Sequence, residues 1–305
     1  MATAASLKDS RASGRDVYAP TAGSGLSILY FAVVLVLLAV LFGTILRDMV
    51  VQWWQDPNYS HGFVVPLFSG YLLWERRDQL VAAPSSQGSW VGFAVLVAGV
   101  AELIIGEVGA ENFLMRSSLI VILAGLVLFH GGRRTLSVVA FPLAFLFFMV
   151  PLPQIAFNAV AFPLQSFAAQ NATAALEWLG IPVLRDGNVI HLSRITLGVT
   201  EACSGIRSLI SLLALAVAWS YVALSRPRAR ALLIVSAVPI TIAANAARIV
   251  FTGLIGQYVA PEYAEGFFHS FSGWLIFLLA VVCLAGVQAL LGSERRAHLP
   301  AEGGG

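Results

Sequence analysis

The chain has 305 residues, of which 58% are hydrophobic and only 11% charged, with a formal net charge of +2. Soluble domains carry about 25% charged residues, so this composition excludes one and indicates an integral membrane protein. The small, scattered positive charge excludes a nucleic-acid binder. Two cysteines, Cys203 and Cys283, give neither a disulfide framework nor a zinc spacing.

Residues 1–26 are polar and rich in small residues, which predicts a disordered cytoplasmic tail. The apolar run that follows has no small-residue cleavage site, so it reads as a retained helix and not a signal peptide. A helix that crosses the hydrocarbon core needs about 20 apolar residues. Eight candidate spans follow in order: 27–46, 61–74, 90–108, 113–129, 135–150, 204–224, 231–255 and 267–291. The second and fifth are short. Residues 293–305 read as a second disordered cytoplasmic tail. Cys283 lies deep in an apolar run and reads as an inert small hydrophobe. The expected fold is therefore an all-α polytopic membrane protein of about eight transmembrane helices.

The positive-inside rule orients these spans. With the N-terminus in the cytoplasm, Arg76, Arg77, Arg133, Arg134, Arg226, Arg228, Arg230, Arg295 and Arg296 all fall inside, while Arg47, Arg116, Arg185 and Arg194 fall outside. Both termini are then cytoplasmic. Trp53 and Trp54 read as an interfacial aromatic belt.

A long outer segment, 151–202, separates the fifth and sixth spans. Its first half is helical in pattern but interrupted by Pro163, which predicts an interfacial or re-entrant helix pair. Its second half, "IPVLRDGNVIHLSRITLGVTEA", sets Asp186-Gly187 between runs rich in valine and isoleucine. That pattern predicts a short β-hairpin leading into Cys203, with His191 as a surface or pairing residue.

Cys203 falls at the outer N-terminus of the sixth span, flanked by Glu201, Ser204, Gly205 and Arg207. Unpaired backbone N–H groups and the positive end of the helix dipole favour a thiolate there. A buried structural cysteine and an activated nucleophile are the two readings. Glu201 and Arg207 fit a local brace for that turn. The seventh span carries Asn245 and Arg248, the latter about 10 Å below the outer end. A membrane arginine usually faces a protein interior; helix pairing is the plain reading of both residues. His269 opens the eighth span in "FFHSFSGW". Three spans thus carry a thiol, a fixed cation and a base toward one leaflet, the makings of a histidine-activated cysteine with an oxyanion partner. Tyr59 and His61 stand at the outer mouth of the second span, where they either shape the same pocket or cap the helix. Glu102 and His130 have no visible partner. No spacing of His, Asp or Glu suggests metal ligands, and no cofactor is expected.

The motifs "EACSGIRS", "NAARI" and "FHSFSG", in that order on successive spans, resemble the exosortase and archaeosortase family. "YSHGFVVPL" and "MVPLPQ" resemble its upstream pattern. The resemblance implies a bacterial exosortase domain over residues 27–292, without the soluble C-terminal domain that some members carry. It maps the family's nucleophile onto Cys203, its arginine onto Arg248 and its histidine onto His269. It implies an inner-membrane cysteine protease or transpeptidase with its active site on the periplasmic side, linked to exopolysaccharide export. Its substrates would be exported proteins ending in a Pro-Glu-Pro-type motif, a transmembrane helix and a basic tail, transferred to an acceptor. The competing readings are a polytopic transporter, with Arg248, Glu102 and His61 lining a polar path, and a non-catalytic exopolysaccharide assembly factor.

Overall fold

The computed structural model describes residues 23–82, 89–199, 205–259 and 266–296. The chain forms a multi-pass, all-α membrane protein, and among the described residues six helices are long and apolar enough to cross a bilayer. Contacts divide it into two units, Met1–Thr44 and Ile45–Gly305. Helix α1 (Gly23–Gln55) begins in the first unit, four residues earlier than the sequence pattern suggests. All that follows concerns the second.

A 3-10 segment, Pro57–Phe63, leads into the short α2 (Val64–Glu75) and α3 (Arg77–Ala82). Twelve residues give α2 a length of about 18 Å, too short to cross alone. Helix α4 (Trp90–Val108) is followed by α5 (Asn112–Phe145), which merges the expected fourth and fifth spans. The two halves meet at Gly132, whose φ of 71° and ψ of −172° are non-helical and open to glycine at little cost. A second 3-10 segment, Leu146–Met149, closes this part.

Helix α6 (Gln154–Trp178) corrects the expected helix pair: it runs through Pro163 as one element. The lost N–H of a proline is outweighed when a whole stripe is buried. Here Phe157, Ala161, Gln165, Ala168, Ala169, Ala172 and Leu176 form that stripe, and Ala168 to Leu176 join Ile190, Leu192, Val199 and Ile249 in one apolar cluster.

Strands β1 (Val183–Asp186), β2 (Val189–Leu192) and β3 (Thr196–Gly198) form a three-stranded antiparallel sheet in that order. The register pairs Asp186 with Val189 and Ile190 with Leu197, around a turn containing Gly187 at φ +59°. Polar groups pin the sheet to two helices. Asn188 donates to Gln165 on α6 at 3.0 Å, and Arg194 donates through its backbone N–H and its guanidinium to Gln257.

Helices α7 (Ile206–Ala223), α8 (Pro227–Tyr258) and α9 (Gly266–Arg296) complete the chain. They bury a shared apolar cluster around Leu212, Ala216, Leu233, Ala237, Ala280 and Leu284. The start of α7, the last turns of α8 and the start of α9 thus lie at the sheet end of the bundle. The opposite end carries Arg76, Arg77, Arg226, Arg228 and Arg230.

Candidate active site

Gly205 caps the N-terminus of α7 in the left-handed conformation, φ +77°. A side chain there would be strained, and it would also be crowded: a Cβ on Gly205 would sit 3.1 Å from Asn245. The contact joins the start of α7 to α8. Asn245 is 6% exposed, and with Gly205, Leu209 and Thr241 it lines a void of about 10 Å³, roughly enough for one water. Arg248 lies one turn further along α8. Its guanidinium rests on the backbone of α9, where a Cβ at Gly273 would stand 3.2 Å from both Cζ and Nη2. Position 269 is one turn before Gly273 on the same helix.

Cys203, Glu201 and Ser204 lie outside the described residues, as does the side chain of His269. Their neighbours bracket them. Two peptide units from Gly205, covalent geometry alone keeps Cys203 within about 7 Å of that glycine. On the other side, Val199 is buried and its N–H donates to the Asn188 carbonyl at 2.8 Å. Val199 and Gly205, the described residues on either side of positions 200–204, are thus each held by a neighbouring element.

The remaining expected residues take other positions. Arg207 turns to the first 3-10 segment, donating from Nε to Asn58 Oδ1 at 3.2 Å. Tyr59 is buried in the apolar core beside Phe157. His61 donates from Nε2 to the Phe148 carbonyl at 3.0 Å, because a carbonyl can only accept. It stands outside the six spanning helices, where burial pushes its imidazole below the ordinary value and the Phe148 carbonyl opposes that shift. Trp53 belongs to the same latch and not to an aromatic belt. It is 5% exposed and donates from Nε1 to the Met149 carbonyl at 2.9 Å, whereas Trp54 is 82% exposed. His61 from the first 3-10 segment and Trp53 from α1 thus both satisfy carbonyls of the second 3-10 segment.

Glu102 has a partner that sequence could not show. Ser117 Oγ–H on α5 donates to its carboxylate, and Arg116 donates to Gln52 at 2.7 Å. Cys283 is exposed, beside an apolar groove between α8 and α9. Among the described residues no group of three His, Cys, Asp or Glu could hold a metal. Sequence reasoning missed Gly273 and Asn58; the only signal for Gly273 was its place at the end of "FHSFSG".

The family model described as transmembrane exosortase (Exosortase_EpsH) matches residues 53–286, most of the chain. This chain belongs to the transmembrane exosortase family. Comparison with curated proteins and with solved structures gives no match. The matched stretch runs from the Trp53 latch to the middle of α9 and takes in Gly205, Asn245, Arg248 and Gly273.

Proposed function

We propose that this exosortase is a membrane-embedded cysteine protease or transpeptidase that uses Cys203 as nucleophile, His269 as general acid and base, and Arg248 as oxyanion stabiliser. The observation that carries the reading is the convergence on α8. Asn245 meets the glycine two residues beyond Cys203, and Arg248 meets the glycine one turn beyond His269.

The chemistry follows from those placements. The thiolate of Cys203 attacks the scissile carbonyl carbon, and the carbonyl π pair moves to oxygen. A permanently charged, planar guanidinium offers that oxygen two parallel N–H groups. His269 takes the thiol proton and returns it to the departing amine as the C–N bond breaks. A thioester to the upstream protein remains, which an acceptor amine or water resolves. Asn245, Gly205, Ser204 and Glu201 support the nucleophile turn; Arg207 ties the start of α7 to Asn58 in the first 3-10 segment, whose Tyr59 and His61 have a supporting or substrate-shaping role. The substrates are exported proteins with a Pro-Glu-Pro-like motif, a transmembrane helix and a basic tail. Arginine clusters at the end away from the sheet support both termini in the cytoplasm of a bacterial inner membrane and a periplasmic site. A transport path through Glu102 and His61 finds less support, since both are engaged in helix-to-helix hydrogen bonds.

Coexpression with a tailed reporter tests the reading. Cys203→Ala and Cys203→Ser are expected to abolish reporter processing while the protein still inserts. Arg248→Lys is expected to lose about 10²-fold or more in rate, the weight of one oxyanion donor. Processing retained in Cys203→Ala would exclude the cysteine mechanism.

A further inference from the structure

A groove of about 670 Å³ runs beside α7. Its polar lining is confined to the end that holds His61 and Ser211; below, Val65, Phe68, Ala218, Trp219, Val222 and Phe277 make it apolar. From Ser211 to Val222 on α7 it extends about 16 Å, close to the acyl depth of one leaflet in a core about 30 Å thick.

An aromatic ladder leads from its wall to two arginines. Phe145 lines the groove and stacks on Phe141 at 5.9 Å, and Phe141 stacks on Tyr221 at 3.4 Å. Arg76 and Arg230 both approach the Tyr221 ring, at 5.1 and 5.3 Å from its centroid. Among the described residues neither meets a carboxylate; the ion pair present is Arg77 with Asp78. Arg76 commits Nη1 to the Val138 carbonyl, and Arg230 commits Nε and Nη2 to the carbonyls of Leu224 and Tyr221. A guanidinium has five N–H donors, so each arginine retains donors beyond these bonds. Two like charges on one ring attract an anion, and an apolar slot of one leaflet's depth stands next to them.

We infer that Arg76 and Arg230 bind the phosphate of an anionic phospholipid whose acyl chain lies in the groove lined by Phe68, Trp219 and Phe277. Charge selects this occupant over a zwitterionic lipid, because a choline or ethanolamine headgroup brings its own cation to the arginine pair. A basic protein tail would be repelled for the same reason. The binding is independent of the peptidase reading.

Trp219 is the reporter. The full-length protein is reconstituted in phosphatidylcholine vesicles doped with bromine-labelled lipid bearing either a phosphatidylglycerol or a phosphatidylcholine headgroup. The Trp219 signal is wild type minus Trp219→Phe. Labelled phosphatidylglycerol is expected to quench it more strongly. The preference is expected to fall roughly five-fold for each of Arg76→Gln and Arg230→Gln, the weight of one basic residue at an anionic surface. Arg228→Gln, an exposed arginine without ring contact, is expected to keep it, as are the Arg→Lys variants. Equal quenching by both headgroups in the wild type would overturn the inference whatever the variants do. Quenching by neither, the result for a groove that holds a protein helix, would also overturn it. So would loss of the preference on adding inorganic phosphate at constant ionic strength, which would assign the pair to a free anion.

Discussion

Arg248 and Asn245 are each seated on a glycine of a neighbouring helix, and that seat sets where their polar atoms point. Gly273→Ala adds a methyl 3.2 Å from the guanidinium, which must shift by tenths of an ångström. Gly286→Ala on the same helix meets nothing within 4 Å. Both changes gain helix propensity of about 0.5–1 kcal/mol, so both variants are expected to keep or raise detergent melting temperature. Only Gly273→Ala is expected to lose processing rate, about tenfold, with the substrate KM little changed. Gly205→Ala differs, because φ of +77° costs a side chain about 1–2 kcal/mol before the Asn245 contact is counted; it is expected to lose both stability and rate. His61 offers a pH signature. Its folded value lies below the unfolded one of about 6.5, so its contribution is present above that pH and is lost as pH falls through the folded value. On acidification from about pH 7, wild type is expected to lose more thermal stability than His61→Gln. The motif residues stand out in the sequence as candidates because thiols, arginines and histidines are rare in greasy spans. The glycine seats were not, since a close approach is a property of two helices and a sequence lists them one at a time.

Helices α4 and α5 show the same packing at the scale of an element. Gly92, Gly99 and Gly106 recur every seven residues on α4 and are buried. A Cβ at Gly99 would stand 2.7 Å from Ile122 and one at Gly106 2.8 Å from the Met115 backbone N, and Gly92 abuts Phe129. Small residues let membrane helices approach at backbone distance, and the half-buried Ser117–Glu102 bond joins the same two helices. Gly99→Leu overpacks it and is expected to cost about 1–3 kcal/mol, read as a lower melting temperature in detergent. Trp53→Phe removes the bond to the Met149 carbonyl and is expected to cost about 1 kcal/mol or more, because a buried acceptor loses its partner. Elements with strong local signals were readable: apolar runs located α4, α7, α8 and α9 to within a few residues. Pro163 misled because local breaking power was weighed without the stripe that α6 buries against α8 and the sheet. Trp53 misled because an interfacial tryptophan and a core tryptophan look alike until the Met149 carbonyl is in place.

For the second unit, Asn245 and Arg248 lie toward the end of α7, α8 and α9 nearest the sheet, while Arg76, Arg77, Arg226, Arg228 and Arg230 lie at the other. The sheet is pinned through Gln165 and Gln257, and Asn245 meets Gly205, so the described residues on either side of positions 200–204 are each tied to a helix. The proposed mechanism requires a covalent intermediate at Cys203 and at no other cysteine, so Cys283→Ala provides a clean background. The decisive measurement is the intact mass of that single-cysteine protein after coexpression with a tailed substrate and rapid acid quenching. The account predicts an adduct of the substrate's upstream portion on Cys203, released by hydroxylamine as a thioester and absent from Cys203→Ala. A tail removed at the normal rate in Cys203→Ala, or an adduct on a residue other than Cys203, would contradict it.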